Sequence, residues 1–213
     1  MERMTPITIG VLGGVASGKS LVADMLGDLG AYVIDADRLG HEVLDSDSEV
    51  RQQLQRLWGR DILDARGKVD RAKIGVLVFG DGPAALANRR KLESLLHPRI
   101  RRHVEAELQQ TAERQDSAVA VLDAPLLVEA GWCELCTLLL FVDAPPDIRQ
   151  GRARERGWDA EKLQLRERAQ LPLEEKRRRA DAVVDNSGSR DELVRRIETF
   201  WSEHIQPRIR SRS

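Results

Sequence analysis

Short apolar runs alternate with longer amphipathic segments along the 213-residue chain. Residues 7–12 form an apolar run that stops at Gly13 and Gly14, a pattern typical of a buried strand. Residues 19–29 carry apolar side chains at helical spacing, and Gly30 follows as a stop signal. The same pattern predicts further strands at residues 31–37, 118–125, 137–146 and 182–186.

The polar and charged segments between these strands have helical spacing. We expect helices over most of residues 38–115, over the arginine-rich stretch from 147 to about 180, and over residues 191–204, with a frayed tail after them. Apolar strands that alternate with helices predict an α/β fold, in which a parallel sheet is covered on both faces. We interpret the chain as a single domain with a core at about residues 5–37, 117–146 and 180–205, a helical insertion at 38–116 and a lid at 147–179.

Composition narrows the possible functions. The hydrophobic fraction of 41% is enough for a core, and 34 basic against 35 acidic residues leave a net charge of −1. This balance gives no general attraction to nucleic acid or to an anionic membrane. The sequence contains no apolar run long enough for a membrane span and no signal-peptide pattern, so we expect a cytoplasmic protein. The two cysteines, Cys133 and Cys136, do not form a disulfide framework, and we expect reduced thiols.

The segment GGVASGKS, residues 13–20, fits the phosphate-binding motif G-x-x-x-x-G-K-[ST], with a predicted strand before it and a helix after it. We call these residues the P-loop. Its glycines let backbone N–H groups point towards phosphate oxygens, and the helix N-terminus adds a partial positive charge. Lys19 is predicted to contact the β- and γ-phosphates, and the Ser20 hydroxyl to bind Mg²⁺. The predicted ATP-binding residues here are Gly13, Gly14, Val15, Ala16, Ser17, Gly18, Lys19, Ser20 and Leu21.

Two carboxylates end the second predicted strand, in the stretch VIDAD. Asp35 and Asp37 are two positions apart, so on a strand they would share one face. The carboxyl ends of strands in an open α/β sheet are where ligands bind, and a carboxylate there can accept a hydroxyl proton. An alternative is that one of the two only caps the following helix.

With these motifs the sequence resembles the dephospho-CoA kinase family. The resemblance rests on GGVASGKS, VIDAD, LLHPRI, DAPLLVE, the arginines after VDAPP, and ADAVVDNSG, in this order from about residue 7 to 201. It implies a P-loop NTPase-type parallel sheet with a helical acceptor-binding insertion and an arginine-bearing lid helix. It also implies transfer of the ATP γ-phosphate to the 3′-hydroxyl of dephospho-CoA, as the final step of CoA biosynthesis. Ala16 and Leu21 depart from the usual family pattern, where glycine and threonine are common.

The resemblance assigns roles to further residues. Asp37 matches the family's catalytic base, and His97 lies in the insertion that helps to bind CoA. From its place beside Asp37, Asp35 is expected to support substrate binding or to help position Mg²⁺. Pro125, Leu126, Leu127 and Glu129 are expected at the acceptor site, and Asp123 close to Mg²⁺. His97 could equally be a helix-start residue, and Leu126 and Leu127 fit the core better.

Arginines follow the fourth predicted strand. On one helix Arg149, Arg152 and Arg156 would share a face, from which they could cover the phosphates and exclude water. Arg152 and Arg156 match the family's lid positions, so we predict catalytic roles for them. By similarity to the corresponding loop of related nucleoside monophosphate kinases, Asn186 is expected to contact adenine, although an ordinary turn explains Asn-Ser-Gly equally well.

The expected substrates are ATP and dephospho-CoA, with Mg²⁺ as cofactor, in a monomer or weak homo-oligomer. One alternative is another small-molecule kinase on the same scaffold. The other alternative is a nucleotide-dependent switch or an RNA-binding protein. The sequence has no N-K-x-D guanine motif, which a GTPase switch would need, and no aromatic residues among its basic runs, which RNA-binding modules use.

Overall fold

The structure is a computed structural model that describes residues 6–80, 82–113 and 118–212. Its strands are β1 (Ile7–Gly13), β2 (Tyr32–Asp35), β3 (Val119–Asp123), β4 (Leu138–Asp143) and β5 (Ala182–Asp185). Within the described residues these five strands form one sheet in the order β2-β3-β1-β4-β5, and every pairing is parallel. The predicted parallel α/β sheet is confirmed.

Helices fill the connections. They are α1 (Lys19–Asp28), α2 (Ala36–Ser46), α3 (Ser48–Trp58), α4 (Arg71–Val78), α5 (Pro83–Glu113), α6 (Pro146–Glu155), α7 (Ala160–Arg168), α8 (Leu173–Arg178), α9 (Arg190–Phe200) and α10 (Gln206–Arg210). Single turns of 3₁₀-helix lie at Arg60–Ile62 and Trp132–Leu135, and a π-helical turn at Trp201–Ile205 joins α9 to α10. No helix in the described ranges is both long and apolar enough to cross a bilayer.

Short polar side chains explain where several helices begin. Asp47, Asp70 and Asp159 each accept backbone N–H bonds in the first turn of α3, α4 and α7. Before α9, Ser189 and Glu192 form a reciprocal capping box. These bonds satisfy N–H groups that have no partner within the helix.

The core is built around β1 at the centre of the sheet. All seven residues of β1 are buried, as expected for a strand covered on both faces. The covering layers include Leu26 of α1 and Ile197 of α9. Ile205 is fully buried and Ile209 packs on the same core. The chain after residue 204 is therefore helical as far as Arg210. The prediction of a frayed tail at residues 207–213 is wrong for residues 207–210.

The described residues form two compact units. One contains the sheet and comprises the chain up to Ala36 and from Glu105 onwards. The other, Asp37–Val104, is helical and has its own buried side chains, among them Val50 and Leu54. Helices α6, α7 and α8 belong to the sheet-containing unit, and we call residues 146–178 the arginine-rich segment.

Candidate active site

The P-loop connects the end of β1 to the start of α1, and steric constraints explain its glycines. Gly13 has φ +152°, and a Cβ there would lie 2.7 Å from the backbone oxygen of Val142. Gly18 has φ +96°, in the left-handed region. Both positions therefore need a residue without a side chain.

Gly18 is also the N-cap of α1. Among the described residues no side chain caps this helix end, and its first turn contains no acidic residue. The N–H groups and the positive end of the helix dipole therefore remain available for an anion. The Ser17 hydroxyl is buried without a hydrogen-bond partner in the described chain.

Ala16 has φ +59° and is the one described residue other than glycine with positive φ. Its methyl group packs with Val15, Ala153 of α6 and Leu163 of α7, and Trp158 covers this small cluster. An alanine in place of the family's glycine thus adds apolar contact between the P-loop and the arginine-rich segment. The cost is a backbone conformation that L-residues adopt reluctantly.

Lys19 points back onto the P-loop. Its Nζ donates hydrogen bonds to the backbone oxygens of Gly14, at 2.9 Å, and Gly13, at 3.3 Å. The ammonium group therefore lies directly beside the loop that the motif predicts to surround phosphate. A phosphate anion would compete well with two neutral carbonyls for these donors.

Asp123 lies at the carboxyl end of β3, opposite Asp35 in the β2–β3 register. It is buried, and desolvation raises the pKa of its carboxyl group above the ordinary value. A hydrogen bond from Ser20 and the charge of Lys19 lower this pKa, whereas the charges of Asp35 and Asp24 raise it.

These donors fit a magnesium site of the kind that nucleotides complete. The described residues contain no cluster of three His, Cys, Asp or Glu side chains that could hold a metal ion by themselves. Mg²⁺ in phosphoryl-transfer sites is usually held by one or two carboxylates together with substrate phosphates and water. The Ser20 hydroxyl and the Asp123 carboxylate, with Asp35 on the neighbouring strand, provide such a partial set.

Asp37 does not continue β2. The strand ends at Asp35 and α2 begins at Ala36, so Asp37 lies in the first turn of that helix and belongs to the helical unit. The prediction that Asp35 and Asp37 share a strand face is therefore wrong. Side chains two positions apart share a face only while the backbone is extended, and the backbone is helical from Ala36 onwards. An acidic residue such as Asp37 is favoured in the first turn of a helix by the helix dipole.

His97 is half-buried in the interior of α5, so the alternative that it starts a helix is also wrong. Pro98 follows it within α5. Proline removes one backbone hydrogen bond but does not end this helix.

The three arginines predicted to share a face lie in different environments. Arg149 is buried beside Gly14, where it pairs with Glu167 and donates to the Ala144 oxygen at 3.2 Å. Arg156 follows the last residue of α6 and is exposed, 5.9 Å from the centre of the Trp158 ring.

Arg152 binds the P-loop and the loop after β5. It donates to the Ser17 oxygen at 3.1 Å and, through Nη2, to the backbone oxygen and Oδ1 of Asn186 at 2.9 and 3.2 Å. The Asn186 side chain is buried, and its Nδ2 donates to the Ser17 oxygen at 2.7 Å. The structure thus brings Arg152 and Asn186 to the backbone of the P-loop itself.

The segment after β3 carries the predicted acceptor residues. Pro125 and Leu126 are half-buried, whereas Leu127 is only 1% exposed and belongs to the core. Glu129 Oε1 accepts a hydrogen bond from the Leu171 N–H at 2.8 Å and forms an ion pair with Lys176 Nζ at 2.9 Å.

Sequence reasoning missed Lys176, which is 2% exposed and also donates to Gln170 at 2.9 Å. It missed Trp158 as well, whose ring lies 4.3 to 5.9 Å from Arg156, Lys162 and Arg166. Lys176 stands in a run of basic residues that is typical of a solvated helix face. For Trp158 a signal was available, because an aromatic residue within an arginine-rich stretch indicates contacts between its ring and nearby cations.

Comparison with known proteins shows which family the chain matches. Residues 7–192 match the family described as dephospho-CoA kinase. Dephospho-CoA kinase from Geobacillus kaustophilus is 39% identical over 192 residues, which cover 90% of this chain and 93% of the relative. Among solved structures, one from Thermus thermophilus is 35% identical, with a TM-score of 0.75 over 94% of this chain and 98% of that one. Dephospho-CoA kinase from Campylobacter jejuni shares the fold at 22% identity, with a TM-score of 0.62 over 92% and 96% of the two chains.

Proposed function

The chain belongs to the dephospho-CoA kinase family, and we propose that it transfers the γ-phosphate of ATP to the 3′-hydroxyl of dephospho-CoA. The products are CoA and ADP. The observation that carries this proposal is the P-loop, since its glycine geometry, Lys19, Ser20 and the buried Asp123 lie together at one edge of the sheet. Membership of the family indicates that the acceptor is dephospho-CoA, and the P-loop provides the site for the phosphates of the donor, ATP.

Binding of ATP rests on the backbone and two side chains. The N–H groups of residues 14–20 surround the β- and γ-phosphates, and Lys19 leaves the carbonyls of Gly13 and Gly14 to contact phosphate oxygens. Ser20 and Asp123 would hold Mg²⁺, with Asp35 beside them. When bound, Mg²⁺ neutralises charge on the β- and γ-phosphates.

In the transfer step we assign the base to Asp37. Its carboxylate accepts the proton of the 3′-hydroxyl as the ribose oxygen forms its bond to the γ-phosphorus. The bond between that phosphorus and the β,γ-bridging oxygen breaks, and ADP leaves. Most of the rate enhancement comes from positioning and from charge stabilisation by Lys19, Arg152 and Arg156, because the transition state is loose.

The remaining assignments concern the acceptor and the cellular compartment. We propose that His97, Pro125, Leu126 and Glu129 contribute to binding the CoA portion of the acceptor. We place the activity in the cytoplasm, where thiols such as Cys133 and Cys136 stay reduced.

The test is release of ADP from Mg·ATP with dephospho-CoA, AMP or adenosine as acceptor. We expect turnover with dephospho-CoA at least 100-fold above the other two. Asp37→Asn should lower kcat with dephospho-CoA by about 10²-fold or more, because loss of a general base typically costs 10²–10⁴. Asp45→Asn is the matched control, since Asp45 is an exposed carboxylate on the same helix α2.

Each contrary result points to a different revision. Equal turnover with AMP would contradict the acceptor and favour another small-molecule kinase. A kcat for Asp37→Asn equal to that of Asp45→Asn would keep the reaction but remove Asp37 as the base.

A further inference from the structure

The Asn186 side chain uses both ends of its carboxamide inside the protein. Its Nδ2 donates to the Ser17 oxygen at 2.7 Å, and its Oδ1 accepts from Arg152 Nη2 at 3.2 Å. The residue is 3% exposed, and its backbone N–H donates to the Asp143 oxygen at 2.7 Å. Asn186 is thus held by β4 while its side chain holds the P-loop.

The P-loop is shaped to receive this carboxamide. A Cβ on Gly18 would lie 2.3 Å from Asn186 Nδ2, a distance that no real contact reaches. Glycine at position 18 therefore serves two purposes, since it allows φ +96° and leaves the space that the amide occupies.

The Ser17 oxygen receives a second donor from Arg152 Nη1 at 3.1 Å. Two hydrogen bonds on one carbonyl fix the orientation of the peptide between Ser17 and Gly18. Because a trans peptide is planar, its N–H points away from its C=O. Fixing the Ser17 oxygen on the Asn186 side therefore directs the Gly18 N–H to the opposite side, away from Asn186.

We propose that Asn186 is a positioning residue that holds the Ser17–Gly18 peptide in the orientation needed for binding phosphate. The same contacts link Arg152 of α6 to the P-loop, so the two groups that contact phosphate are held relative to each other. This role depends on the proposed function in one respect, namely that the ligand of the P-loop is a nucleotide. It differs from the adenine contact expected for this loop, because it acts on the phosphates alone.

The test measures binding without any acceptor. Calorimetry compares Mg·ADP, Mg·GDP and inorganic tripolyphosphate on wild type, Asn186→Asp and Asn186→Ala. Asn186→Asp keeps the shape and can pair with Arg152 but brings a carboxylate oxygen next to the Ser17 oxygen. We expect its affinity for all three ligands to fall by about tenfold or more, and that of Asn186→Ala by a smaller factor.

Asn88→Ala is the matched control. Asn88, the chain's other asparagine, also joins two partners, as it accepts from Trp58 Nε1 at 3.1 Å and donates to the Leu77 oxygen at 3.3 Å. Its loss should lower the melting temperature and leave the affinity for tripolyphosphate unchanged.

Two outcomes would overturn the proposal. If Asn186→Asp weakens ADP alone and leaves tripolyphosphate unchanged, Asn186 contacts adenine. If Asn88→Ala weakens tripolyphosphate as much as Asn186→Asp does at an equal fall in melting temperature, the effect is one of general stability. Failure of wild type to phosphorylate dephospho-CoA would contradict the proposed function while leaving these binding measurements intact.

Discussion

The P-loop and the arginine-rich segment of residues 146–178 carry most of the predicted phosphate ligands, yet different forces determine their geometry. Backbone conformation and steric exclusion determine the P-loop, as Gly13 and Gly18 show. In the arginine-rich segment, ion pairs and hydrogen bonds to distant parts of the chain determine where each side chain lies. Arg152 donates to the Ser17 oxygen from 135 positions away, and Lys176 is buried in an ion pair with Glu129.

Local sequence therefore determines the first region more closely than the second. A glycine at positive φ follows from a motif of eight residues, but the burial of one cation among many depends on partners far along the chain. The following changes test this difference, from the largest expected effect to the smallest.

Lys176→Met should have the largest effect on stability. Lys176 is 2% exposed and pairs with Glu129, so its loss leaves a largely buried carboxylate without its cation. Breaking one side of a buried pair typically costs about 3–5 kcal/mol, and we expect a decrease of that size in the free energy of unfolding. Urea denaturation measures it.

Arg177→Ala is the control, because Arg177 is adjacent and pairs with Asp143 at the surface. Both side chains of that pair are about 40% exposed, so we expect a loss of about 0–1 kcal/mol. The double change Lys176→Met with Glu129→Leu should recover most of the stability, since apolar residues can replace a buried pair. Equal losses for Lys176→Met and Arg177→Ala would show that burial does not distinguish the two cations.

Gly13→Ala tests the steric part of the comparison. Gly30 also has positive φ, at +105°, but a Cβ there would have no atom within 4 Å. Gly30→Ala should cost about 1–2 kcal/mol from backbone strain alone. Gly13→Ala should cost about 1–3 kcal/mol more through its clash with the Val142 oxygen.

Nucleotide binding separates the two glycines further. Calorimetry with Mg·ADP should show weaker binding for Gly13→Ala and unchanged binding for Gly30→Ala. Similar unfolding free energies for the two variants would mean that the P-loop adjusts to a methyl group, and that its shape is less strictly determined than we infer.

The sheet, the P-loop and the order of elements were predictable because each rests on a short sequence pattern. Apolar runs gave the strands, and the motif placed Lys19 and Ser20 at the start of α1. The boundary at Ala36 was missed because VIDAD continues strand alternation for two residues after β2 has ended.

Tertiary partners account for what was missed in the site. Asn186 binds Ser17 from 169 positions away, and no local pattern distinguishes this contact from an ordinary Asn-Ser-Gly turn. Lys176 looks like its arginine neighbours until Glu129 is seen beside it. Local backbone geometry was therefore predictable from the sequence, whereas the hydrogen-bond and ion-pair partners of individual polar side chains were not.

Asp123→Asn tests how the burial of a charge beside the P-loop differs from the burial of Lys176 in the arginine-rich segment. Lys176 has a close ion-pair partner, whereas burial is the main influence on Asp123 and raises the pKa of its carboxyl group. Because this pKa is higher in the folded state than in the unfolded state, stability is lost as the pH rises from the unfolded-state pKa through the folded-state pKa.

The neutral amide of the variant carries no such penalty. The variant should therefore melt a few degrees higher than wild type at pH 7–8, and this difference should shrink as the pH falls towards 4. The same change should abolish most turnover with Mg·ATP, because it removes the carboxylate that we propose as a magnesium ligand. Thermal melts across this pH range measure the first effect, and a variant that melts lower than wild type at pH 8 would show that the Ser20 hydrogen bond and the Lys19 charge outweigh desolvation.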